Sequence, residues 1–465
     1  MPLYLTTRLG GFFNGYTGRI MIKTTLAFLL LLLCHRVGLA EPAYIVPLQA
    51  DWQVRPILTV GESALNHYAM VGAPDGLGAY ANRDGSLSVL MNHEIGRDKG
   101  RVRAHGQKGA FVSRWVIDLE SLQVVQGEDL VQSKIALDAA LPFHKLCSAD
   151  LAPTGAFFDS DSGKGFPGQL FLNGEEDKGG GRAFAHGLDG ISYELGDFGQ
   201  LAWENVLIHP HASPSTLVMA LDDIQQGLLV VYLGQKRKEG NPVEQAGLVG
   251  GQLFAVQVQG NRFNLVALPD AANSKGPSLR ESAIKLGATG FARPEDGAWD
   301  SQNQRAFWFN TTDKLGGDSR LQRLEFDDIH RPLAGGRIQT ILQAKQIGAE
   351  MLDNLTVDAG GRVLLQEDPG DHPRLAAIWA YEPSTGVTKK LFEANPALFG
   401  AGQLGFMTAD EEHSGIVEVT ALLQKASWFD ASRRYYLGTT QAHVAHAQSD
   451  LVEHGQLWLI SGPRE

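Results

Sequence analysis

After residue 40 the chain never sustains apolar residues at helical spacing. Short apolar runs of strand length alternate instead with glycine- and aspartate-containing turns, and the pattern persists for more than 400 residues. The 54 glycines against 20 prolines suit many tight turns. Residues 87–91, 111–119 with 122–125, 168–174, 182–186, 203–208, 215–221 with 227–233, and 252–258 with 263–268 read as strands. So do 305–309, 320–326, 353–357 with 361–365, 377–382 with 387–392, 416–419, 435–440 and 455–460. Residues 143–150 read as a loop, 235–245 as an exposed hairpin tip, and 273–288 as an insertion with one helical turn.

A flat sheet of this size would expose long edges, whereas radial repetition keeps them short. The expected fold is therefore all-β, a β-propeller with loop insertions. At roughly 40–50 residues a blade six or seven blades would fit, and six is the expectation. Gly-Gln-Leu-aromatic recurs at Gly168, Gly251 and Gly455, and the last strand is placed to close the ring with N-terminal residues. No linker divides residues 41–465, which read as one domain.

Residues 1–40 read as a secretory signal, with Met21-Ile-Lys opening a basic segment, an apolar run from Leu26 to Leu33, and a small-residue exit at Ala40. Met21 is an alternative start. The apolar run is too short to span a membrane, and Leu33 before Cys34 is not the small residue a lipoprotein signal requires. The expected location is periplasmic or secreted, as a monomer without a stable membrane anchor. Losing Arg8, Arg19, Lys23 and Arg36 takes the formal charge from −12 to about −16, which argues against a nucleic-acid partner. It also leaves Cys147 as the single cysteine, with no internal disulfide open to it.

The acids sit where apolar runs end: Glu94, Glu175-Glu176, Asp222-Asp223, Glu295-Asp296, Glu367-Asp368 and Asp410 to Glu412. In a propeller such strand ends line the axial channel. So many gathered negatives are tenable only with cations among them. Hard carboxylate oxygens favour Ca²⁺ or Mg²⁺, and a thiolate would extend the choice to a transition metal. Within Phe291–Asp300, Arg293 stands two residues before Glu295, with Pro294 biasing Arg293 toward extended backbone. A guanidinium fork beside oxygen ligands suits a phosphate held against cations. His443, His446 and Asp450 have ligand-like spacing, His209 and His211 lie close together, and His93 and His413 stand inside the acidic motifs as groups that could orient ligands or carry protons. Asn310-Thr-Thr312 and Asn354-Leu-Thr356 match glycosylation sequons, and no Gly-x-Ser-x-Gly elbow is present.

Asn92-His93-Glu94, Leu146-Cys147-Ser148, Gly174-Glu175-Glu176, Arg293-Pro294-Glu295, Gln366-Glu367-Asp368 and Asp410-Glu411-Glu412-His413-Ser414-Gly415 together resemble, in order, the motif series of PhoX-type alkaline phosphatases. That family comprises exported β-propellers that hydrolyse phosphomonoesters with two ferric and several calcium ions. The resemblance implies that Cys147 ligates iron, that Glu94, Glu175 or Glu176, Glu295, Glu367 and Glu412 are metal ligands, and that Arg293 grips phosphate. It implies small phosphorylated substrates and a metal-bound oxo or hydroxide nucleophile. Arg293 and Glu295 are the expected catalytic pair. Asp222, Asp296, Asp368 and Asp410 complete the candidate metal set of Ca²⁺ and Fe³⁺ ligands. Two features differ from the family pattern. Asn173-Gly174 precede the glutamate pair where a second cysteine often stands, and the leader lacks twin arginines. Both bear on iron more than on calcium. Competing expectations are a calcium-bound propeller hydrolysing phosphodiesters or lactones, and a non-catalytic ligand-binding propeller.

Overall fold

A computed structural model describes residues 41–135, 142–211 and 213–464, so the expected leader lies outside the described residues. The unit Ala43–Glu465 is all-β with few short helices. Antiparallel meanders dominate it. Pro74–Ala81, Leu87–His93, Phe111–Ile117 and Val124–Asp129 form one sheet. Leu146–Leu151, Leu170–Glu175, Ala183–Gly187 and Ile191–Glu194 form the next, with Ser133–Ile135 added in parallel. A ten-stranded sheet begins at Trp203–Ile208, Ser215–Asp222, Gln225–Gln235, Gln252–Gln259 and Arg262–Ala267. It continues, through pairing of Arg262–Ala267 with Gly336–Gln343, into Arg320–Phe326, Ala306–Thr311 and Pro294–Trp299. Leu352–Val357, Val363–Glu367, Ala377–Glu382 and Val387–Ala394 follow, edged by Ile45–Pro47. The last sheet is Glu411–Glu418, Arg433–Ala445 and Glu453–Pro463, to which the N-terminal Gln53–Thr59 adds the fourth strand. The ends of the fold are thereby joined, as the sequence suggests.

The arrangement is propeller-like. The strands starting at Pro74, Leu146, Trp203, Pro294, Leu352 and Glu411 pack each against the next, and the last returns to the first. Neighbouring sheets share an apolar core at each step. Leu90 and Val112 meet Leu146, Phe171 and Phe184, for example, and Leu364 and Ile378 meet Tyr436, Trp458 and Ile460. Each large side chain so buried contributes about 1.5–3 kcal/mol, and the strands read as nearly continuous apolar runs because both faces are covered.

Two close approaches set the ring's tightness. A Cβ on Gly76 would stand 2.4 Å from the Ala149 nitrogen, and one on Gly415 2.5 Å from the Asp75 carbonyl oxygen, so only glycine fits. Two expectations change. Residues 146–150 of the expected loop belong to the inner strand Leu146–Leu151, because Leu146 and Phe143 are core residues beside Phe171 and Phe184. The expected single turn within 273–288 is the ten-residue helix Gly276–Lys285, which buries Leu279, Arg280 and Ala283.

Candidate functional site

The second residue of every inner strand occupies an equivalent place: Asp75, Cys147, Glu204, Glu295, Asp353 and Glu412. Their register fixes this. Pro74, Leu146, Trp203, Pro294, Leu352 and Glu411 pair with His93, Glu175, Asp222, Thr311, Glu367 and Ala442 at the ends of the neighbouring strands. The pairing shifts register directly beyond that point in five of these pairs, and after His413 in the last. Such bulges re-aim a side chain, here into the axis. The residues after the paired ones, among them Glu94, Glu176, Asp223, Asp368 and His443, turn the same way. These side chains, the fully buried Asp75 excepted, line a cavity of about 320 Å³ with Lys145, Arg293 and Asp410.

Strand alternation decides which member of each acidic pair enters. Glu176, Glu295, Asp368 and Glu412 line the cavity, as do the expected Glu94, Cys147, Asp410 and Arg293. Four expected ligands do not. Glu175 is held by Arg182 and accepts a hydrogen bond from the His144 amide. Asp222 takes a two-point bond from Arg280, 2.7 and 2.6 Å, and one from the Ala202 amide. Glu367 is bound by Arg374 and the Trp379 indole. Asp296 accepts from Asn205, 2.6 Å, and from the amides of Gly297 and Leu355. Their lone pairs are already committed inside the sheets.

Asp75, Glu204 and Asp353 escape the sequence reading because each is a single acid inside an apolar strand. A signal existed: Pro74-Asp-Gly, Leu146-Cys-Ser, Trp203-Glu-Asn, Pro294-Glu-Asp and Leu352-Asp-Asn all place the site residue between a large or cyclic apolar residue and a small or polar one. Lys145 and Arg293 also share a position, immediately before an inner strand, and both are left-handed, with φ 40° and 55°. Ala73 and Met351 hold the same place with φ 49° and 42°. Pro294 therefore does not leave Arg293 extended. Its amide is tied to the carbonyls of Phe291 and Ile224, and its side chain is anchored by two carboxylates. Backbone held this way costs about 1–3 kcal/mol and persists where the surroundings over-determine it.

The charges are unbalanced. Arg293 donates through Nε and Nη2 to Asp223 at 2.8 and 2.9 Å, and Nη2 lies 2.6 Å from Glu295. Glu295 and Asp223 hold the guanidinium strongly protonated. Lys145 Nζ reaches Glu94 at 2.8 Å and Glu176 at 3.3 Å, and Glu94, then Glu176, raises its pKa. Burial pushes Glu94 up, but Lys145, His443 and the Gln441 hydrogen bond together outweigh it, and its pKa falls. Six other acids go up. Burial, then repulsion from Glu412 and Glu94, raises Asp75; burial, then Asp223 and Asp353, raises Glu295. Burial, followed by Glu204, raises Asp353. Burial takes Glu204 to about 8, and Glu176 and Asp368 to about 7. Burial and Asp75, 3.4 Å away, push the Cys147 thiol up. His443 bridges Glu412 and Glu453 at 3.2 and 3.0 Å, and those bonds overcome its burial to raise its pKa.

Asp75 Oδ1 is buried without a hydrogen-bond partner among the described residues. The ligand atoms of Asp75, Glu94 and Cys147 lie within 4.8 Å of one another, as do those of Glu204, Glu295 and Asp353. Both trios have the chemistry to hold a metal ion. The first mixes hard oxygens with sulfur, and the second is all oxygen.

The remaining expectations fall elsewhere. His93 hydrogen-bonds Ser113 and the Gly72 carbonyl, His413 bonds Thr440 and the Ala376 carbonyl, and burial lowers both to about 3, so they stay neutral inside sheets. His446 packs on His454 and does not join His443 in the cavity. His209 bonds the Gln304 carbonyl. Asn310 and Asn354 are fully or nearly fully buried, so neither sequon can take a glycan in the folded chain.

No protein-family model and no curated protein matches the chain. Solved structures do. Pseudomonas fluorescens PhoX, in complex with the transition-state analogue vanadate, superposes with a TM-score of 0.55 at 11% identity, covering 90% of this chain and 96% of that one. Chaetomium thermophilum Sqt1, bound to the N-terminus of ribosomal protein L10, gives 0.33 at 12% identity over 83% and 87% of the two chains. An α-L-arabinofuranosidase from Podospora anserina in complex with cellotriose gives 0.33 at 8% identity over 88% and 96%. At these identities the likeness is one of fold, and the PhoX-like arrangement extends over nearly the whole described unit.

Proposed function

We propose that this chain is an exported, metal-dependent phosphomonoesterase of the PhoX-like type, built as a six-bladed propeller in which the ten-stranded sheet comprises two fused blades. The observation that carries the reading is the axial cavity, where carboxylates from successive inner strands converge with two cationic side chains at equivalent backbone positions. A cavity lined by Glu94, Glu176, Glu204, Asp223, Glu295, Asp353, Asp368, Asp410 and Glu412 repels a phosphate dianion. Bound cations resolve that conflict. Asp75, Glu94 and Cys147 would hold one, Glu204, Glu295 and Asp353 another, with calcium suited to the oxygen set and iron to the set containing sulfur. When bound, the ions supply Lewis acidity, charge neutralisation and activation of a nucleophilic oxygen.

The chain's own residues supply the rest. Asp223 and Glu295 fix the plane of Arg293, so its guanidinium meets the phosphoryl oxygens without reorganising as charge builds. Glu94 and Glu176 likewise aim Lys145. His443, protonated between Glu412 and Glu453, can pass a proton to a departing oxygen. Asp75 is fully buried, and Cys147 is half-buried beside it. The test is turnover of an aryl phosphate by metal-loaded protein, compared with an aryl phosphodiester and a lactone. Phosphomonoester hydrolysis abolished by chelation and by Arg293→Ala is expected. Hydrolysis of only the diester or the lactone, or none with metal bound, would displace this reading.

A further inference from the structure

Gln441 sits on Arg433–Ala445, one residue before the position paired with Glu411, and it is fully buried. Its amide nitrogen is surrounded by four oxygens: Asp75 Oδ2 at 3.0 Å, Glu94 Oε2 at 3.1 Å, Ser414 Oγ at 3.1 Å and Glu412 Oε1 at 3.2 Å. An amide nitrogen carries two protons and so can satisfy two of the four. Meanwhile Gln441 Oε1 is buried with no hydrogen-bond partner among the described residues, and so is the other Asp75 oxygen, Oδ1. One end of the amide is over-subscribed and the other is orphaned, at a cost of about 1–3 kcal/mol for each buried group left unpaired.

Half a turn about the terminal torsion exchanges the two ends. The side-chain oxygen would then stand about 3 Å from carboxylate oxygens of Asp75, Glu94 and Glu412. That is unfavourable among bare oxygens, but it is the spacing of oxygens that share a cation at about 2.3–2.6 Å. Building on the cation-site reading above, we propose that Gln441 is a switching ligand. Without a cation its amide NH₂ stands in for the ion and holds the carboxylates together. With one, the amide turns over and its oxygen joins Asp75, Glu94 and Glu412 around a hard cation such as Ca²⁺, a site that would share Asp75 and Glu94 with the sulfur-containing set. The neutral amide adds a ligand without adding negative charge, and the shape of the cavity is kept in both states.

Calorimetric titration of chelator-treated, desalted full-length protein with CaCl₂, joined to a crystal structure of the Ca²⁺-loaded protein, tests this. Gln441→Met keeps the length but removes both amide ends, and Ca²⁺ affinity is expected to fall about tenfold or more. Gln441→Glu restores an oxygen and should bind at least as tightly as the wild type. In the loaded wild-type structure, Oε1 is expected at ligand distance from the ion. Unchanged affinity in the methionine variant, or an amide nitrogen facing the ion, would overturn the switch while leaving the cation site standing. If the methionine variant does not fold, the loaded wild-type structure decides alone. A wild-type protein that takes up no Ca²⁺ would overturn the cation reading and this inference together.

Discussion

The same acidic dipeptides serve two tiers of the molecule, and the tiers treat charge in opposite ways. In the outer tier Glu175, Asp222 and Glu367 point into the sheets, and each meets an arginine (Arg182, Arg280 and Arg374) together with a backbone amide. In the inner tier their neighbours Glu176, Asp223 and Asp368 face the axis, where Lys145 and Arg293 are shared among many carboxylates. One tier is electrically complete within the chain. The other leaves carboxylates in excess of its cations, and this is why the inner acids mark the candidate site while the outer ones hold it in place.

Breaking the outer tier should have the largest effect. Arg280→Leu strands the buried Asp222 carboxylate, and a loss of about 3–5 kcal/mol in urea unfolding is expected. Asp353→Asn should do the reverse in chelated protein and raise its melting temperature, because it removes a repelled, desolvated acid. A loss of stability in both variants would erase the distinction between the tiers.

The pH dependence of metal-free protein sharpens the contrast. Burial raises Glu176 and Asp368 to about 7 and Glu204 to about 8, above their unfolded values. Groups raised on folding stabilise below the unfolded pKa, and that contribution disappears as pH rises through the folded pKa. Chelated protein should therefore lose stability between about pH 4.5 and 8, as those carboxyls ionise unpaired. Added Ca²⁺ should recover most at the alkaline end, by about 2.7 kcal/mol per site at a hundredfold excess over Kd. A chelated protein growing more stable toward pH 8 would contradict this.

Within the inner tier, Arg293→Lys keeps charge but loses the fork that engages Asp223 at two points. A fall in kcat/KM is expected, short of the roughly 10²–10³ that loss of an oriented donor brings, with melting temperature nearly unchanged. Cys147→Ser should have only a small effect on stability, about 1 kcal/mol or less. It should leave calcium in place and remove a sulfur-bound transition metal together with its visible absorption. Full colour in the serine variant would move that metal elsewhere.

Much of the architecture was legible because it follows from local rules. Strand-length runs with tight turns and no helical period call for many short sheets, and Gln53–Thr59 pairs with the edge of Glu453–Pro463 that Arg433–Ala445 leaves open. The acidic dipeptides pointed to the right strand ends. Which member faces the axis depends on register and bulges, which composition does not reveal. The arginine seven residues after Glu175 and after Glu367 was a readable sign of an outer-tier acid, whereas Arg280 lies on a helix far from Asp222 in sequence. Asp75, Glu204 and Asp353 became site residues only when the inner strands closed into a ring. The loop expected at 143–150 hid the strand that carries Cys147.

The central claim, that the inner tier is completed by cations, is tested most directly by elemental analysis of protein purified without chelators, paired with its melting temperature before and after EDTA and desalting. The account predicts at least one bound hard cation per chain, its removal by EDTA, and a melting temperature that falls and is restored by Ca²⁺. Protein that carries no metal and melts at the same temperature with or without EDTA and Ca²⁺ would contradict it.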